Sequence, residues 1–330
     1  MSENKQEQFT HLKIHTQYSI CEGALKISEL PSKCKEHKLK AMGLCDSYNL
    51  CGALEFSDTI SKSGTQPIIG TQINIKYKEK FIGKVPLYAK DIEGYKNLIK
   101  LSSKSFLEIK ENETPHCTIS DIQENSKGLI LLTGSFDGLI GQLYFKNLTD
   151  DITLILNQFK KIFDNNYYLE IQRHNDVNEI LYEKFLLETS KKLDLPLIAT
   201  NEVFYLNKEM HEAHDAYLCV GEKTYVNVVD RKRYSSEHYF KTPKEMHSLF
   251  SDLPEALENN LNFPLRISYK PEKSLPVLPN IQSDKSITVD QQLFTQASSG
   301  LEKKLKEYVL PSIELDRKKE IIKIYEDRLK

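Results

Sequence analysis

Short apolar runs alternate over the first two hundred positions with longer, more charged segments of helical period. Seven runs predict strands, at 11–15, 41–45, 67–75, 85–89, 128–133, 167–171 and 195–200. Several are continuously apolar, as strands covered on both faces are, and their alternation with helices argues for parallel βα units. Residues 48–63, 91–106 and 177–193 carry the apolar spacing of amphipathic helices, the first ending at Gly64. Seven such repeats favour a barrel over an open sheet. Functional groups of that architecture collect where parallel strands end. The polar residues there are His15, Asp46, Ser47, Gln72, Ser135, His174, Asn201 and Glu202.

Beyond about residue 206 the pattern changes to helices and loops. Thr242-Pro243-Lys244-Glu245 predicts a helix start, with Thr at the N-cap, Pro in the first turn and Glu completing a capping box. A further helix is predicted from 251, a Pro-rich extended stretch covers 269–279, and charged amphipathic helices follow at 287–309 and 313–330. The last has no C-cap signal, so the chain is expected to stop inside a helix.

With 330 residues, 39% of them apolar, the chain can hold one α/β domain of about 250 residues and an extension. A formal charge of −2 gives no overall pull toward nucleic acid, so any DNA contact has to be local. The six cysteines form no CxxC pair and no regular framework, which suits reduced thiols. The polar N-terminus lacks a signal-peptide core, and no run reaches the ~18 apolar residues of a membrane span. A cytoplasmic protein is expected.

One stretch near the start reads Phe9-Thr-His-Leu-Lys-Ile-His-Thr-Gln-Tyr-Ser-Ile-Cys-Glu-Gly-Ala24. Later come Gly43-Leu-Cys-Asp-Ser-Tyr-Asn-Leu-Cys-Gly-Ala-Leu-Glu-Phe56, Gln66-Pro-Ile-Ile-Gly70, Leu195-Pro-Leu-Ile-Ala-Thr-Asn201 and Tyr239-Phe-Lys-Thr-Pro-Lys-Glu-Met246. In this order, over nearly the whole chain, these segments resemble the N-terminal region of the bacterial replicative polymerases, the DNA polymerase III alpha family. That region opens with a polymerase-and-histidinol-phosphatase (PHP) domain. The resemblance implies an α/β fold, a PHP-type distorted (β/α)7 barrel followed by a helical C-terminal extension. It suggests a disordered N-terminus over 1–8 and a PHP domain over 9–268, with its barrel core at about 9–206 and a helical and loop remainder at 207–268. A linker over 269–285 and helices over 286–330, leading toward a polymerase palm, complete the expected organisation.

Metal-binding members of the family hold a trinuclear cluster of Zn, Mn or Fe with His, Asp, Glu and Cys side chains. Carried over position by position, that ligand set falls on Lys13, His15, Glu22, Ser47, Gln72, Lys84, Ser135, Glu202 and Phe204. His15, Glu22 and Glu202 retain a donor of ligand type. Lys offers only ammonium donors and Phe none, so the expectation is a vestigial site with no metal, no cofactor and no catalytic residue in this segment. Carboxylates crowded in a partly buried cleft repel one another unless something positive replaces the lost cations. At least one of Lys13 and Lys84 is therefore predicted to pair with Glu22, Asp46 or Glu202.

Other residues have blander readings. Asp46 reads as a loop anchor, His174 as a loop or surface histidine, His211 and His214 as a helical pair without zincin spacing, and Arg231-Lys232-Arg233 as solvated basic residues. For the parent protein, the resemblance implies DNA-directed DNA synthesis with Mg²⁺ held by palm aspartates beyond residue 330. The implied partners are a proofreading exonuclease subunit, the rest of the polymerase III holoenzyme and DNA, with no membrane. The alternative is an independent PHP phosphoesterase or 3′-5′ exonuclease.

Overall fold

A computed structural model of the chain describes residues 8–279 and 287–329. Residues 1–7 of the expected disordered N-terminus and 280–285 of the expected linker lie outside the described residues, as does Lys330. The described residues up to Lys273 form one compact unit and those from Ser274 a second.

Among the described residues, nine strands build the first unit: β1 (Lys13–Ile14), β2 (Ala41–Ser47), β3 (Gln66–Tyr77), β4 (Phe81–Ala89), β5 (Cys117–Thr118), β6 (Leu129–Leu132), β7 (Tyr167–Ile171), β8 (Leu197–Ala199) and β9 (Glu202–Val203). They form one mixed sheet in the order β8-β7-β6-β4-β3-β2-β1-β9, with β5 beside β3. The ends of that ladder, β8 and β9, are separated in the chain only by Thr200 and Asn201, so the sheet has to curl round on itself. Ala41 and Cys45 of β2, Ile68 of β3, Tyr88 of β4, Ile130 and Leu132 of β6, Tyr168 of β7 and Ile198 of β8 meet in one buried cluster with Phe263 and Ile267. That is the packed centre of a curled sheet.

The uniformly parallel arrangement needs correction. β4 runs antiparallel to both β3 and β6, with Thr71 opposite Leu87 and Leu87 opposite Leu131. Only residues 78–80 join β3 to β4, with Lys78 in the left-handed region at φ 51°. A parallel crossover needs a dozen or more residues, so this link can only be a hairpin. The helix expected over 48–63 begins at Ala53, because Tyr48 sits at φ 67° and residues 48–52 form a loop.

The other helix starts follow their caps. Asp91 accepts from Gly94 N at the head of Ile92–Leu107, Asp176 accepts from Asn178 N at the head of Val177–Leu193, and Thr242 and Glu245 form the capping box of Pro243–Leu249. In the second unit, Val289–Lys304 runs into a π-helical turn, Leu305–Val309, and a helix spans Lys318–Leu329.

Candidate functional site

Strand ends and the loops beyond them bring most of the site positions together, in two neighbouring charged groups. The inner group is buried, with only Glu202 reaching the edge of a cleft. Lys13, on β1, has no exposed surface, and its Nζ lies 3.3 Å from Glu202 Oε1 and 3.5 Å from Glu170 Oε1. Parallel pairing of β1 with β9 sets Lys13 directly beside Glu202. His15 Nε2 lies 3.0 Å from the same Glu202 oxygen, to which the Gln72 amide donates at 2.6 Å. Burial opposes the charge on Lys13, but Glu170 and Glu202 more than compensate and hold the ammonium above its ordinary value. Burial likewise pushes the Glu202 carboxyl up, while Lys13 and His15 bring it well below the usual carboxylate range.

The outer group centres on Glu22. Lys84, on β4, donates to Glu22 Oε1 at 2.6 Å, and the Ser47 hydroxyl donates to Glu22 Oε2 at 2.5 Å. Lys232 approaches Glu22 at 3.4 Å from a long loop. Desolvation raises the Glu22 pKa, Lys84 and Lys232 lower it, and the balance is about 2. Asp46 fastens the intervening loop by accepting from Thr16 N at 2.6 Å, the Thr16 hydroxyl at 2.7 Å and the Ser19 hydroxyl at 2.6 Å. It is a loop anchor. His214 Nε2 donates to the Glu22 carbonyl at 2.7 Å, so this histidine too holds the loop in place.

Phe204 fills the remaining space. Its ring stacks on His15 at 4.6 Å and on Tyr234 at 4.3 Å between centroids. Ser135 stands apart: its hydroxyl donates to Asp137, and it reaches the site only as part of the wall of a cleft of about 340 Å³ that also exposes Glu202, Lys232, Tyr234 and His238. A second cleft of about 340 Å³ opens beside Glu22, lined by Tyr18, Ile20, Cys21, Tyr48, Phe106 and Leu218 among others.

At least one of Lys13 and Lys84 was predicted to pair with a site carboxylate, and both do, Lys13 with Glu202 and Lys84 with Glu22. Two blander readings need correction. His174 is buried, bonded to Glu179 at 2.7 Å and stacked on His238 at 3.9 Å, because the helix Val177–Leu193 and the 235–238 segment close over it. Arg231 is not solvated either: it makes a two-pronged ion pair with Asp215. Sequence reasoning missed Glu170, although a lone carboxylate inside the apolar run Tyr167-Tyr-Leu-Glu-Ile171 was a visible signal. It also missed Lys232 as a partner of Glu22. A loop residue that arrives from 210 positions away carries no local signal.

The donor set does not fit a cluster of cations. Ammonium groups stand against both retained carboxylates, Phe204 offers no lone pair, and no group of three His, Cys, Asp or Glu side chains with metal-holding geometry occurs among the described residues.

Residues 11–174 match the family model described as the PHP domain. This chain belongs to the PHP-domain family, and within it to the N-terminal region of DNA polymerase III alpha subunits. It is 36% identical over 296 residues to DNA polymerase III subunit alpha of Rickettsia bellii, covering 90% of this chain and 25% of the relative. It is 34% identical over 325 residues to that of Caulobacter vibrioides, covering 95% and 28%. The chain thus spans about a quarter of the length of the curated relatives it matches. Among solved structures, a two-domain protein from Bacteroides vulgatus containing a predicted PHP-like metal-dependent phosphoesterase aligns with TM-score 0.39 and 12% identity, over 72% of this chain and 62% of that one. An amidohydrolase from Chromobacterium violaceum aligns with TM-score 0.39 and 9% identity, over 59% and 87%.

Proposed function

We propose that this chain is a metal-degenerate structural and docking module at the N-terminus of a replicative DNA polymerase. The observation that carries the reading is the pairing of Lys84 with Glu22 and of Lys13 with Glu202, ammonium groups standing against the site's retained carboxylates. Without a bound cation nothing here lowers the pKa of a water or polarises a phosphodiester, so the segment has no hydrolytic step of its own. His15, Glu22 and Glu202 are structural members of the ion groups. Lys13, Ser47, Gln72, Lys84 and Phe204 fill and neutralise the space between them.

The parent protein would carry out DNA-directed DNA synthesis in the cytoplasm. Mg²⁺ would be held there by palm aspartates outside these 330 residues and would stabilise the attacking and leaving oxygens. Because the segment supplies no editing chemistry, we assign its partner role to a separate proofreading exonuclease subunit, within the replicase and on DNA. Titration of the purified chain with the cognate exonuclease tests this. Binding at micromolar concentration or tighter is expected, and no binding in that range refutes the docking role. Hydrolysis of a phosphate ester or a DNA 3′ end by metal-loaded chain would favour the phosphoesterase alternative.

A further inference from the structure

Behind the inner ion group lies a narrow recess between β7, the loop after β6 and the helix Val177–Leu193. It holds about 10 Å³ and is lined by Ser135, Phe136, Glu170, Gln172, Tyr182 and Leu186 among others. That volume admits about one water. Two of the lining residues each carry a buried polar atom that has no hydrogen-bond partner, Glu170 Oε2 and Tyr182 Oη. Both residues are deeply buried, Glu170 at 1% and Tyr182 at 3% exposure.

The other Glu170 oxygen is fully used: the Thr200 hydroxyl donates to it at 2.5 Å, the Gln172 amide at 3.0 Å, and Lys13 lies 3.5 Å away. Lys13 also has to serve Glu202, so this ammonium is shared between two carboxylates. Burial and then the Glu170 charge push the Tyr182 phenol up against a smaller opposing pull from the neighbouring Thr133 hydroxyl, which keeps it a protonated donor. The recess shares Ser135, Phe136, Gln172 and Glu179 with the open cleft of about 340 Å³, which gives solvent a route to it.

We infer that this recess is a binding site for a single water molecule that accepts the Tyr182 hydroxyl and donates to Glu170 Oε2. The water supplies the donor that the second inner carboxylate needs, and Tyr182 acts as a positioning residue for the Lys13–Glu170–Glu202 group. A charged acceptor buried without a donor is costly, whereas a water with polar partners on two sides satisfies both groups.

A high-resolution crystal structure of the 330-residue chain is the direct test. One ordered water within hydrogen-bond distance of both Glu170 Oε2 and Tyr182 Oη is expected. No density in the recess, or Tyr182 Oη bonded directly to Glu170, overturns the inference. A thermodynamic cycle adds a second readout. Tyr182→Phe should raise the unfolding equilibrium constant roughly tenfold in the wild-type background and far less in a Glu170→Gln background. Equal effects in the two backgrounds overturn it. If Glu170→Gln does not fold, the density in the wild-type crystal decides.

Discussion

Lys13 has no exposed surface and faces two carboxylates. Removing one partner of such a group strands the others, so Lys13→Ala should cost about 3–5 kcal/mol in chemical denaturation. Lys13→Met keeps the volume but leaves the same charges unpaired, so it should remain clearly destabilised. The Glu22 pair sets a pH dependence whose sign can be worked out. Its carboxyl is held at about 2 against an ordinary 4.5, so the unfolded chain takes up the proton first as pH falls. Stability from this group is therefore complete above 4.5 and is lost as pH falls toward about 2. Urea midpoints across that window should decline more steeply in wild type than in Lys84→Met, where the pKa-lowering partner is gone.

Among the elements, caps and glycines separate sites that tolerate change from sites that do not. Thr242 accepts from Glu245 N, and Glu245 reaches back to the Thr242 backbone. Thr242→Ala should lower stability by about 1 kcal/mol in a melting experiment. A Cβ on Gly23 would lie 2.2 Å from the Thr16 carbonyl oxygen, in the loop that presents Glu22. Gly23→Ala should therefore lower the melting temperature sharply. Gly300, within Val289–Lys304, has nothing within 4 Å of its added Cβ, so Gly300→Ala should strengthen its helix by about 0.5–1 kcal/mol.

At the scale of the whole molecule, a lysine-paired site should not respond to metal. Zn²⁺ or Mn²⁺ in excess should leave the melting temperature unchanged, since a ligand that binds only the native state would raise it. Stoichiometric metal in the purified protein would contradict that. The purified chain should also fail to extend a DNA primer with dNTPs and Mg²⁺, and extension above background would show polymerase chemistry within these 330 residues.

Apolar runs located most of the strands, because a strand buried on both faces declares itself by composition. Capping chemistry located the helix start at Thr242, while apolar spacing located the helices that Asp91 and Asp176 prove to cap. Loss of ligand-type side chains at Lys13, Lys84 and Phe204 was legible too, since an ammonium or a phenyl ring cannot donate a lone pair whatever its surroundings. Strand direction was not legible. β3 and β4 read as two strands either way, and only the three-residue link between observed strand ends makes them a hairpin. Burial of His174 and Arg231, and the arrival of Glu170 and Lys232 at the site, were decided by the tertiary structure alone. Whether a polar side chain meets solvent, an ion partner or an aromatic ring depends on elements tens to hundreds of residues away in the chain, which no local pattern encodes.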